Sequence, residues 1–262
     1  MNKNYLTLLA AITLTACASN TPKAMTYDNK PNAGQSIQIF LAGDSTMAIK
    51  ADDRRPETGW GERLPEELNE LARVHNRAIN GRSTKSFKDQ GHWQTIVSEL
   101  NPEDYVFIQF GHNDQKHEDP LRYTNPHTGY RANLTQFVAD VRAKGATPIL
   151  LSSIARRNYN EQGVLIDSHG VYAEVVRRVA ADLEVPFIDM TLLTEQALNE
   201  MGQAQSQSLY LHLAPGEHPN YPDGVTDNTH LNTLGAQVVA NIVVEELCKK
   251  DLTLNRYLTR CN

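Results

Sequence analysis

The sequence lacks an excess of positive charge, has no internal repeats and contains only three cysteines. Lys and Arg number 25 against 31 Asp and Glu, and the net charge of −6 argues against a nucleic-acid-binding protein, which usually presents a basic face. Neither Cys248 nor Cys261 lies near a motif of catalytic character, so no thiol nucleophile is indicated. What remains is an ordinary globular composition, 40% hydrophobic and 21% charged, over a length that suits one large α/β domain.

The first residues contain an apolar run from Tyr5 to Ala16, preceded by Lys3. The run is short for a bilayer-spanning helix and has the layout of a secretory signal. Its ending, Leu14-Thr15-Ala16-Cys17, resembles a bacterial lipobox, in which Cys17 would be lipidated. Residues 1–17 therefore predict export, either as a periplasmic or outer-membrane-anchored lipoprotein or, after ordinary cleavage nearby, as a secreted protein. A buried first helix is the alternative.

Residues 18–36 form a polar segment with Pro22, Pro31 and Gly34 and no periodicity, which predicts a linker. The folded domain is then expected over residues 37–262. A membrane contact is expected only through the N-terminal lipid.

Cys248 and Cys261 lie near the end of this domain. An exported protein enters an oxidising compartment, where two such cysteines can form a disulfide. The bridge would close a short loop and stabilise the tail by about 3 kcal/mol. Two free thiols are the alternative.

Short, nearly all-apolar segments alternate with amphipathic helical patterns along the domain. Strands are predicted over residues 36–43, 72–79, 104–111, 147–153 and 185–190. Strands that are apolar on both faces indicate a parallel sheet with helices on either side, hence an α/β fold.

Three further segments carry predictions. Residues 63–71 have a helical pattern before the second strand. The polar stretch from about residue 203 to 227 predicts a surface excursion. The last helix has Leu234, Val238, Val239 and Ile242 on the face expected to be buried.

Polar clusters follow the predicted strands, where the functional residues of parallel sheets collect. The clusters read GDST, NGRSTKSF, GHNDQ and ARRN after the first four strands, and DNTHLN before the last helix. Ser45 in the first cluster stands on a turn that suits an exposed nucleophile, although a plain helix cap is the alternative. Asp227 and His230 are three residues apart, so the carboxylate can orient the imidazole as a base; two solvated loop residues are the alternative.

Donors for an oxyanion follow the second and third strands. Gly81 lets the backbone approach closely and present its N–H, and Asn113 offers a side-chain amide. With the N–H of Ser45 they form three donors on adjacent loops. A simple turn at Gly81 and an Asx cap at Asn113 are the alternatives.

In this order the blocks GDST, NGRS, GHND and DNTH resemble those of the SGNH (GDSL-like) hydrolase superfamily, over about residues 37–247. The stretches GDSTMA, GWGERL, NRAINGRSTKSF and VFIQFGHND are similar to the rhamnogalacturonan acetylesterase family. This resemblance implies a flavodoxin-like three-layer α/β/α sandwich, here with five parallel strands. It also implies removal of O-acetyl groups from pectic rhamnogalacturonan, without a cofactor or metal.

The resemblance implies a role for each block residue. Ser45 would be the nucleophile, His230 the base and Asp227 the orienting acid. Ser45, Gly81 and Asn113 would line the oxyanion hole. His112, within GHND, is interpreted as supporting or packing.

Basic and aromatic residues near the blocks are candidates for substrate contacts. Arg82, Lys85 and Lys88 after the second strand, and Arg156 and Arg157 after the fourth, are candidates to pair with galacturonate carboxylates. Nearby acidic residues nearly cancel these charges, so solvated arginines are an equal alternative. Trp60 is a candidate to stack on a sugar ring, with packing beneath the site as the alternative.

Three other functions are weighed. A lipase or thioesterase with the same machinery would need an apolar acyl groove, whereas these loops are polar. A metallophosphoesterase is disfavoured because no Asp-x-His follows the first strand. A non-catalytic lipoprotein that binds polysaccharide would leave the Ser, Asp, His and donor set unexplained.

Overall fold

The computed structural model describes residues 36–261. The predicted signal at 1–17, the lipidation candidate Cys17 and the linker up to residue 35 lie outside the described residues. No helix within the described range is long and apolar enough to cross a membrane.

A five-stranded parallel sheet forms the centre of the domain, as predicted. Its strands are β1 (Ile37–Gly43), β2 (Ala72–Asn76), β3 (Tyr105–Gln109), β4 (Thr147–Leu151) and β5 (Phe187–Ile188). Their spatial order is β2-β1-β3-β4-β5, so the order reverses at β1. In doubly wound sheets of this order, ligands bind beyond the carboxyl ends of the strands at that switch point.

Within residues 36–261, six α-helices lie on the two faces of the sheet. They are α1 (Thr84–Asp89), α2 (His92–Glu99), α3 (Arg131–Ala143), α4 (Val171–Asp182), α5 (Met190–Ser206) and α6 (Thr233–Cys248). Side chains that alternate along β1 point to opposite layers, as the two-residue period of a strand requires. Ile39 and Leu41 belong to the apolar cluster that contains α5 and α6, whereas Phe40 and Ala42 belong to the cluster with α1 to α4. The three-layer α/β/α prediction is confirmed.

The polar stretch after α5 is more ordered than a surface excursion. It contains an antiparallel pair, β6 (Tyr210–Leu213) and β7 (Val225–Leu231). Its residues lack the apolar alternation of a half-buried strand, and neither strand was therefore predicted.

Residues 63–71 do not form the predicted α-helix. They contain one short 3-10 turn, Leu64–Glu67, which follows another at Trp60–Glu62. Beyond it, Leu68 forms a bridge to Leu258, and the N–H of Asn69 donates to the carbonyl oxygen of Tyr257. Pairing with the C-terminal tail therefore replaces helical hydrogen bonds here.

The buried face of α6 differs by part of a turn from the prediction. Val239 and Val243 are buried, whereas Leu234 is 55% exposed. At the far end of the helix, Cys248 forms a disulfide with Cys261, which fastens the C-terminal tail to α6.

Candidate active site

Ser45 stands two residues beyond β1 on a tight turn held by Asp44. The Asp44 Oδ1 accepts hydrogen bonds from the backbone N–H of Thr46 at 3.0 Å and from its hydroxyl at 2.9 Å. The carbonyl of Asp44 accepts from the N–H groups of Met47 and Ala48. Asp44 is fully buried while Ser45 is partly exposed, so the acid that shapes the turn stays inside and the serine reaches the surface.

The glycine before this turn lies in tight surroundings. A Cβ on Gly43 would lie 2.8 Å from the Sδ of Met47 and 3.0 Å from the carbonyl oxygen of Gln109. A larger residue would therefore require Met47 and the end of β3 to shift.

Asp227 and His230 lie in an irregular part of β7. Tyr210 of β6 pairs with Leu231, but the next residue, Leu211, pairs with Asp227. Residues 228–230 therefore bulge out of the ladder, and such bulges redirect side chains.

The bulge is closed by the Asp227 carboxylate. Its Oδ1 accepts from the N–H of Thr229 at 2.7 Å and from the N–H of His230 at 3.0 Å. Its Oδ2 lies 2.7 Å from Nδ1 of the His230 ring. The same side chain thus shapes the backbone and orients the imidazole.

The other imidazole nitrogen contacts the serine. His230 Nε2 lies 2.9 Å from Ser45 Oγ, so the carboxylate, imidazole and hydroxyl form one hydrogen-bonded chain. With Nδ1–H donating to the carboxylate, Nε2 is free to accept the serine proton. Burial raises the pKa of Asp227, but the hydrogen bond and charge of His230 outweigh it and hold that pKa well below its usual value. Asp227 is therefore an anion.

Gly81 and Asn113 lie on the loops to either side of Ser45. Gly81 has φ of +74°, a conformation that glycine adopts without strain. The Asn113 Nδ2 donates to the carbonyl oxygen of Arg82 at 3.1 Å, and its Oδ1 accepts from Arg122 Nη1 at 3.3 Å. One hydrogen of the Asn113 amide remains for a ligand, because an NH₂ group carries two donors.

A buried lysine joins the Ser45 turn to the Gly81 loop. Lys50 Nζ donates to the carbonyl oxygen of Ser45 at 2.5 Å and to Oδ1 of Asn80 at 2.9 Å, and it lies 2.8 Å from Oε1 of Glu57. Burial raises the pKa of Glu57, but the hydrogen bond and charge of Lys50 outweigh it and the pKa is lowered. Lys50 is not among the residues predicted from the sequence, because no local pattern distinguishes a buried lysine from an exposed one.

A second acid and histidine lie beneath the serine. His112 Nδ1 is 3.4 Å from Oδ2 of Asp44, and both side chains are buried. Burial raises the pKa of Asp44, but the adjacent His112 and the bonds from Thr46 lower it to about 2, although no hydrogen bond joins Asp44 Oδ2 to the His112 ring. Asp44 is thus ionised, and the interpretation of His112 as supporting or packing stays a prediction.

The prediction that Trp60 stacks on a sugar is wrong. Its side chain is fully buried, and its Nε1 donates to Oε1 of Gln109 at 2.9 Å. Apolar packing with a satisfied indole N–H accounts for the residue.

The predicted cationic contacts are mostly engaged with neighbours. Arg82 Nε donates to Oε1 of Gln90, and Lys85 forms an ion pair with Asp89. For these two residues substrate binding stays a prediction. The other three basic side chains donate hydrogen bonds to neighbours. Lys88 donates to Asn133, and Arg156 donates to Thr229 and His112. Arg157 donates to Ser206, Asn228 and Gln203.

Between residues 36 and 261, no group of three or more His, Cys, Asp or Glu side chains is arranged to hold a metal ion. A cavity of about 320 Å³ lies along β6 and the start of α6, and no triad residue lines it. Ser45 and His230 are instead partly exposed on the surface, which suits a substrate that binds across the edge of the sheet.

A serine, histidine and aspartate joined at the carboxyl edge of a parallel sheet, within a three-layer sandwich, define the class of serine hydrolases. The chain belongs to the GDSL-like lipase/acylhydrolase family, whose family model matches residues 41–238.

Similar proteins agree with this assignment. The rhamnogalacturonan acetylesterase RhgT of Bacillus subtilis is 39% identical over 222 residues, which cover 85% of this chain and 94% of that protein. A rhamnogalacturonan acetylesterase of Emericella nidulans is 29% identical, over 85% of this chain and 89% of that protein. The crystal structure of protein YxiM of Bacillus subtilis has a TM-score of 0.70 at 23% identity, over 84% of this chain and 58% of that one, and supports the fold alone.

Proposed function

We propose that the protein is a serine esterase that removes O-acetyl groups from a polysaccharide, and that this polysaccharide is pectic rhamnogalacturonan. The observation that carries the proposal is the hydrogen-bonded chain from Asp227 through His230 to Ser45. The similarity to two rhamnogalacturonan acetylesterases supports the choice of substrate.

The first half-reaction acylates the serine. His230 Nε2 takes the Ser45 proton as Oγ attacks the acetyl carbonyl carbon. The carbonyl oxygen becomes an oxyanion, for which the N–H groups of Ser45 and Gly81 and the amide of Asn113 are the proposed donors. The charged imidazole, stabilised by Asp227, then donates its proton to the departing sugar hydroxyl.

The second half-reaction releases acetate. Water takes the place of the sugar, gives a proton to His230 and attacks the acetyl-serine carbonyl carbon. Collapse of this intermediate breaks the bond to Ser45 Oγ, which recovers its proton from His230. Every proton transfer uses the same nitrogen, so the 2.9 Å contact between Nε2 and Oγ serves both halves.

Acetate release tests the proposal. Wild-type protein and Ser45→Ala are compared on acetylated rhamnogalacturonan, acetylated xylan and acetylated chitin fragments. We expect release from rhamnogalacturonan at the highest kcat/KM, and none above background for the variant. A higher kcat/KM on a neutral polymer would contradict the proposal that rhamnogalacturonan is the substrate. A panel of nitrophenyl esters that favours octanoate over acetate would indicate a lipid esterase instead.

We further propose that residues 1–17 direct export and that Cys17 is lipidated. Residues 18–36 would then form a linker to the catalytic domain, residues 37–262. The Cys248–Cys261 disulfide supports export, because disulfides persist in oxidising compartments. Radiolabelled palmitate incorporation into the wild type, absent from Cys17→Ser, tests the anchor. Equal labelling of both proteins would overturn it.

A further inference from the structure

The bulge that carries His230 is held by the segment after β4 as well as by Asp227. Residues 228–230 leave the ladder between β6 and β7, so the regular strand hydrogen bonds do not fix them. The N–H of Arg157 donates to the carbonyl oxygen of Asn228 at 2.8 Å, and Arg157 Nη1 donates to Oδ1 of the same asparagine at 3.0 Å. The first residue of the bulge is therefore bonded through both its backbone and its side chain.

Arg157 links this residue to the end of α5. Its Nε donates to Ser206 Oγ at 3.1 Å, and its Nη2 donates to the carbonyl oxygen of Gln203. The residue is only 8% exposed, and all three guanidinium nitrogens have partners within the protein. The bulge thus rests on a buried side chain whose own position is fixed.

Arg156 joins the bulge to the turn that carries a proposed oxyanion donor. Its Nη1 donates to the hydroxyl of Thr229, the residue before His230, at 2.5 Å. Its Nη2 donates to the carbonyl oxygen of His112, the residue before Asn113, at 3.4 Å. A guanidinium is planar and rigid, so its two nitrogens set the distance between their two acceptors. One side chain therefore spans the loops that carry the base and the amide donor.

The charge of Arg156 also acts on the acid that orients the base. Burial lowers the pKa of Arg156, against the charges of Asp44 and Asp227, which raise it. Arginine stays charged in proteins, and the attraction between two charges is mutual. The guanidinium therefore favours the anionic form of Asp227, whose Oδ2 is bonded to His230 Nδ1.

We propose that Arg156 is a positioning residue, which holds the bulge 228–230 against the turn of Asn113. The bulge in turn keeps His230 Nε2 within reach of Ser45 Oγ. This role differs from the substrate contact predicted from the sequence, because both terminal nitrogens of Arg156 donate to protein oxygens. The inference rests on the proposed serine-esterase reaction and does not depend on which polymer carries the acetyl group.

The first test compares two substrates, 4-nitrophenyl acetate, which carries no carboxylate, and acetylated rhamnogalacturonan. Arg156→Met removes the charge and both hydrogen bonds while it keeps much of the side-chain volume. We expect kcat to fall by about 10²-fold on both substrates with KM nearly unchanged, because a displaced base slows the reaction without weakening binding. A rise in KM on the polymer alone would mean that Arg156 binds substrate, and the inference would be wrong.

A double-mutant cycle tests whether Arg156 acts through the bulge. Thr229→Val removes the hydroxyl that accepts from Nη1 at nearly constant shape, and it should lower kcat by about tenfold, as expected for the loss of one charged hydrogen bond. Because the two side chains form one contact, Arg156→Met/Thr229→Val should be no slower than Arg156→Met. If the two losses multiply instead, Arg156 does not act through Thr229 and the inference is overturned.

Arg142→Met is the matched control. Arg142 Nη2 also donates to a backbone carbonyl oxygen, that of Glu184, at 3.0 Å. Arg142 is exposed at the end of α3, before β4 begins, and thus at the opposite edge of the sheet from Ser45. The variant makes the same change of charge and removes a similar hydrogen bond, so kcat and KM should stay as in the wild type.

The outcomes separate this inference from the proposed function. Wild-type kcat for Arg156→Met on both substrates would overturn the inference alone. If the wild-type protein hydrolyses neither substrate, the proposed function fails and this inference with it. If it hydrolyses the nitrophenyl ester but not the polymer, only the proposed polymer is wrong, and the kcat values on the ester still decide the role of Arg156.

Discussion

Lys50 Nζ lies 2.5 Å from the carbonyl oxygen of Ser45, and the same nitrogen reaches Oδ1 of Asn80 at 2.9 Å. One buried cation therefore fastens together the two loops whose N–H groups are the proposed oxyanion donors. A second link is backbone: the N–H of Ile79 donates to the carbonyl oxygen of Gly43 at 3.0 Å. Donors that are fixed before the substrate arrives need no reorganisation during the reaction, which is the main source of their effect.

Replacing Lys50 by Met should lower kcat on 4-nitrophenyl acetate by about 10²-fold, comparable to the loss of one oxyanion donor. The reason is that the Ser45 and Asn80 loops lose their shared contact, while the volume of the buried side chain is nearly kept. KM should change little. The variant also removes the partner of Glu57 Oε1, while Arg54 still pairs with Oε2, and the loss at this buried oxygen should cost about 1–3 kcal/mol of unfolding free energy.

The double variant Lys50→Met/Glu57→Gln separates these two effects. Removing the charge of Glu57 should recover much of the unfolding free energy, measured by urea denaturation. It should not recover kcat, because the Ser45 and Asn80 loops still lack the hydrogen bonds from Lys50 that link them. If kcat returns together with stability, Lys50 serves only to neutralise Glu57 and the positioning argument is wrong.

Asn113→Ala should reduce kcat by about 10²–10³-fold with KM nearly unchanged, since its amide is expected to bind the oxyanion more tightly than the ground-state carbonyl. Initial rates of 4-nitrophenyl acetate hydrolysis measure both constants. Asn101→Ala is the matched control, because Asn101 is exposed on the loop before β3, at the other edge of the sheet. A rise in KM at constant kcat would mean that Asn113 binds substrate without stabilising the oxyanion.

Much of the sheet and of the site could be predicted because each element has a local signal. The strands around Phe40 and Phe107 are apolar on both faces, and polar residues follow directly where each strand ends. That edge is fixed by parallel pairing, so Ser45 and Asn113 had to be neighbours once β1 and β3 were adjacent. His230 could be assigned only through the resemblance of the four ordered blocks to a known superfamily, because its spacing to Asp227 alone leaves two solvated loop residues as the alternative.

The features that could not be predicted from the sequence depend on tertiary contacts. The strand β7 reads VTDNTHL, and its bulge exists because Asp227 accepts two backbone N–H groups, which no periodicity reports. Lys50 resembles any surface lysine until Glu57 is brought against it. Trp60 stands beside site motifs in the sequence, yet it points inward to Gln109.

Asp114 should make stability depend on pH between about 4 and 7. Burial raises its pKa to about 7 from an ordinary value of 3.8, although bonds from Thr84 and Thr124 lower it. The folded protein therefore holds this proton through a window in which the unfolded chain has lost it. Unfolding free energy should fall as pH rises across that window, by at most about 1.4 kcal/mol per pH unit.

Asp114→Asn removes this titration while its oxygen can still accept from the threonines. The unfolding free energy of the variant minus that of the wild type should therefore increase from about pH 4 to about pH 7. Denaturation curves at several pH values measure the difference. A difference that is constant for Asp114→Asn would mean that its carboxyl is ionised throughout.

The Cys248–Cys261 disulfide should stabilise the fold without affecting catalysis. It closes a loop with a sequence separation of 13, so Cys248→Ser/Cys261→Ser should lower the unfolding free energy by about 3 kcal/mol. Since α6 begins beside His230 and ends at Cys248, its 16 residues separate the bridge from the site by about 24 Å. Well below the unfolding transition, kcat should therefore stay as in the wild type.

Other contacts of the C-terminal tail could hold it in place without the disulfide, and this is the outcome that would contradict the prediction. The N–H of Thr259 donates to the carbonyl oxygen of Glu67 at 2.9 Å, Leu258 pairs with Leu68, and Arg260 forms an ion pair with Glu67. If these contacts suffice to hold the tail, the double variant unfolds at the same urea concentration as the wild type. Arg260→Ala in the disulfide-free background distinguishes the two cases. If the other contacts hold the tail, this substitution should lower the urea midpoint. If loss of the disulfide has already detached the tail, the midpoint should not change further.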